Sequence, residues 1–260
     1  MADINKIKKE FIRIRDLGFV PSIAKYALSE RNDGDAGETF QYYLSGIGRD
    51  NSKFADFDKW EVKTKRDTST SATSLFSNAP SYPKNGDRVM LEKWGIPHEK
   101  YPNKLKLNTS LYANRFSKVH VRTKNVPTYK MKIKNDRDQK KIFLIVCDEN
   151  ENLLDDTIYW SHDLIEDRVN NKLKNTILID VSEKIIDDKI HFKYNSAQLL
   201  LGSTLNSFLD CIDKGIIRYD SKWDVDTKGK HAGEEHNHGG GFRFHKGYNL
   251  LNLASEIIDI

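Results

Sequence analysis

The chain has 260 residues, 38% of them hydrophobic, a formal net charge of +4 and two cysteines. That is enough apolar material for a sizeable core, in one domain or two lobes, while two cysteines without a secretory leader exclude a disulfide framework. No apolar run approaches the length of a membrane span, and the small charge excess leaves the question of a nucleic-acid partner to where Lys and Arg cluster.

The N-terminus lacks the apolar stretch of a signal peptide, so the chain reads as a soluble cytoplasmic protein. Ile4, Ile7, Phe11 and Ile14 recur at three- and four-residue spacing, which predicts an amphipathic helix over residues 3–16. A turn-rich break from Asn32 to Gly37 follows. Glu38 to Leu44 reads as a short helix with Phe40, Tyr43 and Leu44 facing inward. Gly46 and Gly48 break it and lead into a strand.

That strand carries the main chemistry. Trp60, Glu61, Val62 and Lys63 alternate apolar and charged. On a β-strand this puts Trp60 and Val62 on one face and Glu61 and Lys63 on the other. Asp56 lies five residues before Glu61, close enough to return across a bend. Two carboxylates can hold a hard divalent cation such as Mg²⁺, and a neighbouring Lys can orient a water and offset charge on a phosphate. The pattern is short, however, and the same alternation also describes an ordinary half-solvated strand.

After Lys63 the chain turns basic and hydroxyl-rich, from Thr64 through Lys65 and Arg66 to Ser71. A loop with Pro80, Pro83, Lys84 and Gly86 follows. This segment suits a phosphate backbone as well as it suits a plain surface loop. Alternation from Arg115 to Arg122 predicts a strand with a basic outer face. Lys141 to Cys147 is an apolar run of strand length, and Asp155 to Trp160 reads as a second strand. Ser161 is placed to cap a helix running to about Lys174, with Leu164, Val169 and Leu173 as its stripe. Thr176 to Ser182 is a further strand, and this order fits an α/β core with helices on a mixed sheet. His191 to Ser196 is strand-like. Ala197 to about Lys214 reads as a helix ended by Gly215. Cys147 and Cys211 fall in apolar patterns and are expected to be buried thiols.

The tail changes character. Ile216 to Asp226 is a strand, and Thr227 to Gly241 is polar, glycine-rich and holds Lys228, Lys230, His231, His236 and His238. It reads as the tip of a β-hairpin, with Arg243 on the return strand. A structural zinc site usually needs four ligands that include Cys, and no Cys is near. The tripeptide His236-Asn237-His238 is no evidence for an HNH nuclease, whose name refers to residues spread through a larger unit. Base readout is a third reading, because His, Lys and Arg donate to guanine N7 and O6 and a two-stranded ribbon fits the major groove. A plain exposed hairpin is the fourth.

Taken together, these segments resemble the MvaI/BcnI family of type II restriction endonucleases, its MvaI-like branch most closely. The similarity runs through most of the chain in order. It is densest at Ala55 to Thr64, at Ser74-Leu75-Phe76 with Pro83-Lys84-Asn85-Gly86 and Met90-Leu91, and at Ile158 to Ser161. Further on it covers Lys193 to Ala197, then His236-Asn237-His238-Gly239 with Phe242-Arg243. The resemblance implies a PD-(D/E)xK nuclease core, with a mixed sheet flanked by helices and a C-terminal DNA-recognition lobe. The expected division is a catalytic lobe over 1–185 and a recognition lobe over 186–260.

The resemblance further implies a Mg²⁺-dependent monomer that cuts double-stranded DNA at a short CC…GG-type sequence, CCWGG for example, one strand after the other. Asp56 and Glu61 are then the metal ligands and Lys63 the lysine of the motif. Lys65, Arg66, Lys84, Lys222, Lys228, Lys230, His236, His238 and Arg243 are the expected DNA contacts. One position departs from the pattern: Gln41 stands where MvaI-like members carry Glu, with Glu38 one turn earlier as a substitute. A companion methyltransferase is expected, since unprotected host DNA would be cut. A MutH-like nicking endonuclease shares the nuclease core but depends on partner proteins. A non-catalytic sequence-specific DNA-binding protein would keep the hairpin without needing the Asp56, Glu61 and Lys63 set.

Overall fold

A computed structural model of the chain describes residues 3–23, 35–47, 55–67, 72–121, 128–246 and 249–260. In chain order, α1 (Ile4–Arg15) and β1 (Val20–Pro21) come first, then α2 (Asp35–Ser45), β2 (Glu61–Arg66) and β3 (Ser74–Ser77). Next are α3 (Gly86–Trp94), β4 (Ile96–Pro97), β5 (Leu105–Leu111), β6 (Lys130–Asp136), β7 (Lys141–Cys147), β8 (Leu153–Asp155) and β9 (Tyr159–Ser161). Then follow α4 (His162–Lys172), β10 (Asn175–Ile186), β11 (Lys189–Leu201), α5 (Leu205–Asp213), β12 (Ile217–Val225), β13 (Glu235–Asn237), β14 (Gly241–Phe244) and β15 (Glu256–Asp259). The architecture is mixed α/β.

Two compact units form, each discontinuous in sequence. The first is Met1–Ser71, Arg168–Thr204 and Leu250–Ile260; the second is Ala72–Asp167 and Leu205–Asn249. The expected boundary at 185/186 is therefore corrected. It would cut the β10–β11 hairpin, whose strands pair antiparallel from Asn175↔Leu201 to Ile186↔Lys189. The recognition lobe expected at the C-terminus is not one continuous segment either, because Ala72–Asp167 shares a unit with the histidine hairpin.

In the first unit the sheet runs β1-β11-β10-β2, with β15 on β11. β2 and β10 are parallel, with Thr176 beside Glu61 and Leu178 beside Lys63. Parallel neighbours need a crossover connection. Here that connection contains Ala72–Asp167 and returns through α4. One side of the sheet is closed by α1 and α2. Ile7, Phe11, Ile14, Phe40, Trp60, Val62, Ile177, Ile179, Tyr194 and Leu199 form its core. Each such fully buried side chain is worth about 1.5–3 kcal/mol. The helix expected over 3–16 is α1; Asp3 caps it by accepting from the Lys6 N–H at 2.9 Å. Tyr194 donates its hydroxyl to the Ala36 carbonyl at 2.9 Å and packs edge-on against Phe40, which locks α2 to β11.

In the second unit one sheet runs β3-β14-β12-β5-β4 with β13 on β12, and another runs β6-β7-β8 with β9 on β7. Its core includes a cluster of rings, in which Phe242 contacts Phe76, Trp160, Phe208 and Tyr219. Gly241 pairs with Ser77 so closely that a Cβ there would lie 2.5 Å from the Phe76 carbonyl oxygen. A side chain at that position would push β14 off β3.

Four local expectations are corrected. Ala197 to Leu201 is strand, because Leu199 and Leu200 are buried between β10 and β15; the helix starts only at Leu205. Asp155 to Trp160 is broken in two, because Asp155 accepts hydrogen bonds from the Thr157 N–H and hydroxyl and turns the chain. Arg115 to His120 forms no strand beyond a single bridge of His120 to Tyr129, and Arg122 lies outside the described residues. The stripe of α4 is Ile165, Val169 and Leu173, with Leu164 half-exposed. Ser161 does cap α4, accepting from the Leu164 N–H at 3.3 Å.

Candidate active site

The strand β2 behaves as its alternation predicts. Trp60 and Val62 enter the core, while Glu61 and Lys63 share the other face. Lys63 Nζ donates to Glu61 Oε1 at 2.7 Å. Glu61 is nevertheless buried, at 4% exposure, so its charge sits in a medium where it needs compensation.

Asp56 is outside the strand. It lies in a turn closed by reciprocal hydrogen bonds between Phe57 and Trp60, with Asp58 in the left-handed region at φ 54°. The turn folds Asp56 back, and its Oδ2 accepts the Val62 N–H at 2.8 Å. Burial raises the Asp56 pKa above the usual carboxylate value, and the Glu61 charge raises it further. The Val62 N–H, Lys172 and Lys63 pull the other way.

Lys172 was not foreseen. It is the last residue of α4, and its Nζ lies 3.1 Å from Glu61 Oε2 and 3.9 Å from Asp56 Oδ1. Two carboxylates and two ammonium groups thus share one small region of the first unit. The donor set is oxygen only, with no Cys or His in it, and the carboxylates repel each other. This is what a hard divalent cation relieves. Among the described residues no three His, Cys, Asp or Glu side chains form a full cage. A cation on Asp56 and Glu61 would therefore complete its shell from water, backbone or a substrate phosphate.

Glu38 and Gln41 are half-buried on α2, whose Gly37 packs against Thr64 of β2. Lys65 is exposed. Arg66 is not available as a phosphate contact: it is 5% exposed, pairs with Glu183 at 3.4 Å and lies over the Phe192 ring. Neighbours on a strand point to opposite faces, and Arg66 takes the inner one.

The second unit holds the histidine hairpin. β12 and β13 pair from Trp223↔Asn237 to Val225↔Glu235, and Arg243 on β14 stands opposite Arg218. The His236 and His238 rings stack at 4.7 Å and are half-exposed, each near the Asp226 carboxylate. Lys228 and Lys230 are exposed at the tip, Lys84 is exposed before α3, and Lys222 is half-buried on β12. Sequence reasoning missed Asp220. It is 3% exposed, accepts from Arg218 Nε at 2.8 Å and from Ser110 Oγ at 2.7 Å, and lies 3.5 Å from Arg243 Nε. Arg243 is also held by Ser74 Oγ and the Gly239 carbonyl. Its guanidinium is thus aimed by fixed partners.

Comparison with known proteins decides the family. The sequence model of the MvaI/BcnI restriction endonuclease family matches residues 8–253. The chain belongs to that family. It is a type II site-specific endonuclease. Among solved structures it resembles the restriction endonuclease MvaI–cognate DNA substrate complex, with a TM-score of 0.80 and 27% identity over 100% of this chain and 99% of that one. It also resembles MvaI in the absence of DNA, with a TM-score of 0.60 and 26% identity over 100% and 98%. None of the curated proteins matches the chain. Among the described residues no helix is long and apolar enough to cross a membrane.

Proposed function

We propose that this endonuclease hydrolyses phosphodiester bonds of double-stranded DNA in a Mg²⁺-dependent reaction, at a short CC…GG-type sequence such as CCWGG, as a monomer. The observation that carries the reading is the convergence of Asp56, Glu61 and Lys63 in one partly buried cluster. A relative of the same family solved on its cognate DNA supports the substrate class.

In this reading the first unit has a PD-(D/E)xK core, with Asp56 and Glu61 as the residues that would hold the cation. When bound, the cation supplies Lewis-acid polarisation of the scissile phosphate and a water of lowered pKa. Lys63 would orient an attacking water and offset the negative charge that develops on the phosphate. The Val62 N–H keeps Asp56 in place through the reaction. Gln41 stands where a second acidic side chain is expected; an amide would hydrogen-bond a water but is a poor ligand for a second cation.

Base reading belongs to the second unit, through His236, His238 and Arg243, with Lys222 beside them on β12. Arg243 is of the type that reads guanine O6 and N7 in the major groove. Lys65, Lys84, Lys228 and Lys230 contact phosphates, which sets register and affinity but not sequence. A methyltransferase of matching specificity protects the host.

The test is a labelled duplex carrying one CCAGG site, incubated with purified protein and Mg²⁺. Cleavage of both strands at that site, and none when an outer G·C pair is changed to A·T, is the expected result. Cleavage indifferent to the outer pairs would overturn the assigned sequence class.

A further inference from the structure

We infer that Lys172 is a positioning residue of the active site: it aims Glu61 and is the site's standing counter-charge. The inference rests on the nuclease reading of Asp56, Glu61 and Lys63, and goes beyond it by adding a residue from a distant part of the chain.

Three observations lead there. Lys172 Nζ lies within ion-pair distance of Glu61 Oε2, a buried oxygen that accepts no hydrogen bond from the described residues, while Lys63 donates to Oε1, so each oxygen of the Glu61 carboxylate faces an ammonium group. The same ammonium approaches Asp56 Oδ1 and offsets the charge of both carboxylates at once. The fold also brings Lys172 there for a reason. α4 ends at Lys172, Leu173 is buried, and the chain passes directly into β10, where Thr176 stands beside Glu61 in parallel register. Asn175 ties this corner to the strand approach by donating to the Lys59 carbonyl at 3.3 Å. A lysine in the last turn of a helix is also favoured by the negative end of the helix dipole.

The physical role follows. Two neighbouring carboxylates repel; the Val62 N–H holds Asp56, whereas Glu61 has only the two ammonium groups to hold it. Lys63 donates to Glu61 Oε1 in this structure, and in its assigned role it would turn from Glu61 toward the water and phosphate. Lys172 supplies that second charge from the side of α4. Before a cation arrives it keeps the carboxylate pair assembled. Afterwards it keeps Glu61 from swinging.

The test compares wild type with Lys172→Met, which keeps the buried stem but removes the charge, and Lys172→Arg, which restores a charge. Single-turnover cleavage at saturating Mg²⁺ and DNA is expected to fall at least about tenfold in Lys172→Met, since small misplacements cost rates of that order or more. Lys172→Arg is expected to recover part of the loss, and metal-free DNA affinity in a gel shift is expected to stay unchanged in both. A readout independent of activity is thermal melting with and without Ca²⁺. The cation should raise the melting temperature of Lys172→Met more than that of wild type, because it replaces the missing charge. Cleavage by Lys172→Met within twofold of wild type, equal losses in Met and Arg variants, or equal Ca²⁺ shifts would overturn the inference. A wild-type protein that does not cleave would instead overturn the nuclease reading itself, and this inference with it.

Discussion

Asp56 Oδ2 accepts a 2.8 Å hydrogen bond from the N–H of Val62, so a residue outside strand β2 is fastened to the strand that carries Glu61 and Lys63. The bond does two things. It fixes the turn, and it leaves Asp56 Oδ1 on the side of Lys172. The carboxylate is held at a position where burial and Glu61 both disfavour its charge. The Val62 N–H, Lys172 and Lys63 offset part of that cost.

Asp56→Asn separates these roles. The amide oxygen still accepts from Val62, but the charge is gone. Cleavage is expected to fall at least about 100-fold, the scale of losing one electrostatic group at a reacting centre. The sign for stability is opposite. The folded pKa of Asp56 is raised, so above that pKa the ionised group destabilises the fold, and the cost disappears as pH falls through it. In chelator at neutral pH the Asn variant should therefore melt at a higher temperature than wild type. A lower melting temperature would contradict the account.

Lys63→Ala should lose cleavage by at least about 100-fold while DNA binding without a divalent cation stays within twofold. The ammonium contacts Glu61, not a base-reading group. Gel shift and single-turnover kinetics on one preparation check this, and full cleavage by the variant would remove Lys63 from the reaction.

Lys65 and Arg66 are adjacent but should behave differently. Lys65 is exposed, and Lys65→Ala should lower the salt slope of DNA binding by about 0.9, the value for one phosphate contact on duplex DNA. Arg66 is buried against Glu183 and Phe192. Arg66→Ala should destabilise the fold measurably, because it leaves the half-buried Glu183 charge without its buried partner and uncovers the Phe192 ring, and should leave the salt slope unchanged. Urea unfolding and salt titration separate the two.

The reach of the sequence was uneven, for physical reasons. Alternation at Trp60 to Lys63 has one reading on a half-buried strand, so the faces were legible. The hairpin around His236 was legible because its glycine-rich tip and flanking strands are local. Lys172 was not, since nothing within a window of neighbours reveals that the end of α4 meets Glu61. The signal available was a lysine in the last helical turn before a strand, next to a buried parallel pair. Ala197 to Leu201 misled because Ala, Gln and Leu favour helix, while pairing with β10 and β15 overrode that preference. Arg66 is hard to place because a basic run suggests solvent, while alternation from Val62 turns this side chain inward.

Asp155 gives a pH test in the second unit. Burial pushes its pKa up, but Lys93 at 2.5 Å, the Thr157 hydroxyl and N–H, and Trp94 Nε1 pull it down from 3.8 to about 2. A depressed folded pKa contributes stability that is full above the unfolded value of 3.8 and lost as pH falls through about 2. The shift corresponds to about 2 kcal/mol. Asp155→Asn should lower the urea midpoint at pH 6, with a clearly smaller gap at pH 2.5. A gap independent of pH would contradict the assignment.

Arg243→Ala should weaken discrimination against one wrong base pair by about 1–3 kcal/mol, measured as the ratio of cleavage rates on matched and altered sites. Its guanidinium is held by Ser74, Gly239 and the Asp220 carboxylate, so it is already aimed before DNA arrives. Unchanged specificity would remove it from base reading.

The most direct measurement is digestion of a sequenced plasmid by the purified protein, with Mg²⁺ and with chelator, followed by sequencing of the fragment ends. Discrete fragments that appear only with Mg²⁺, whose ends share one CC…GG-type sequence, are the predicted result. Uncut plasmid in both conditions, or random nicking that ignores sequence, would contradict the central claim that Asp56, Glu61 and Lys63 form the active site of a Mg²⁺-dependent, site-specific endonuclease.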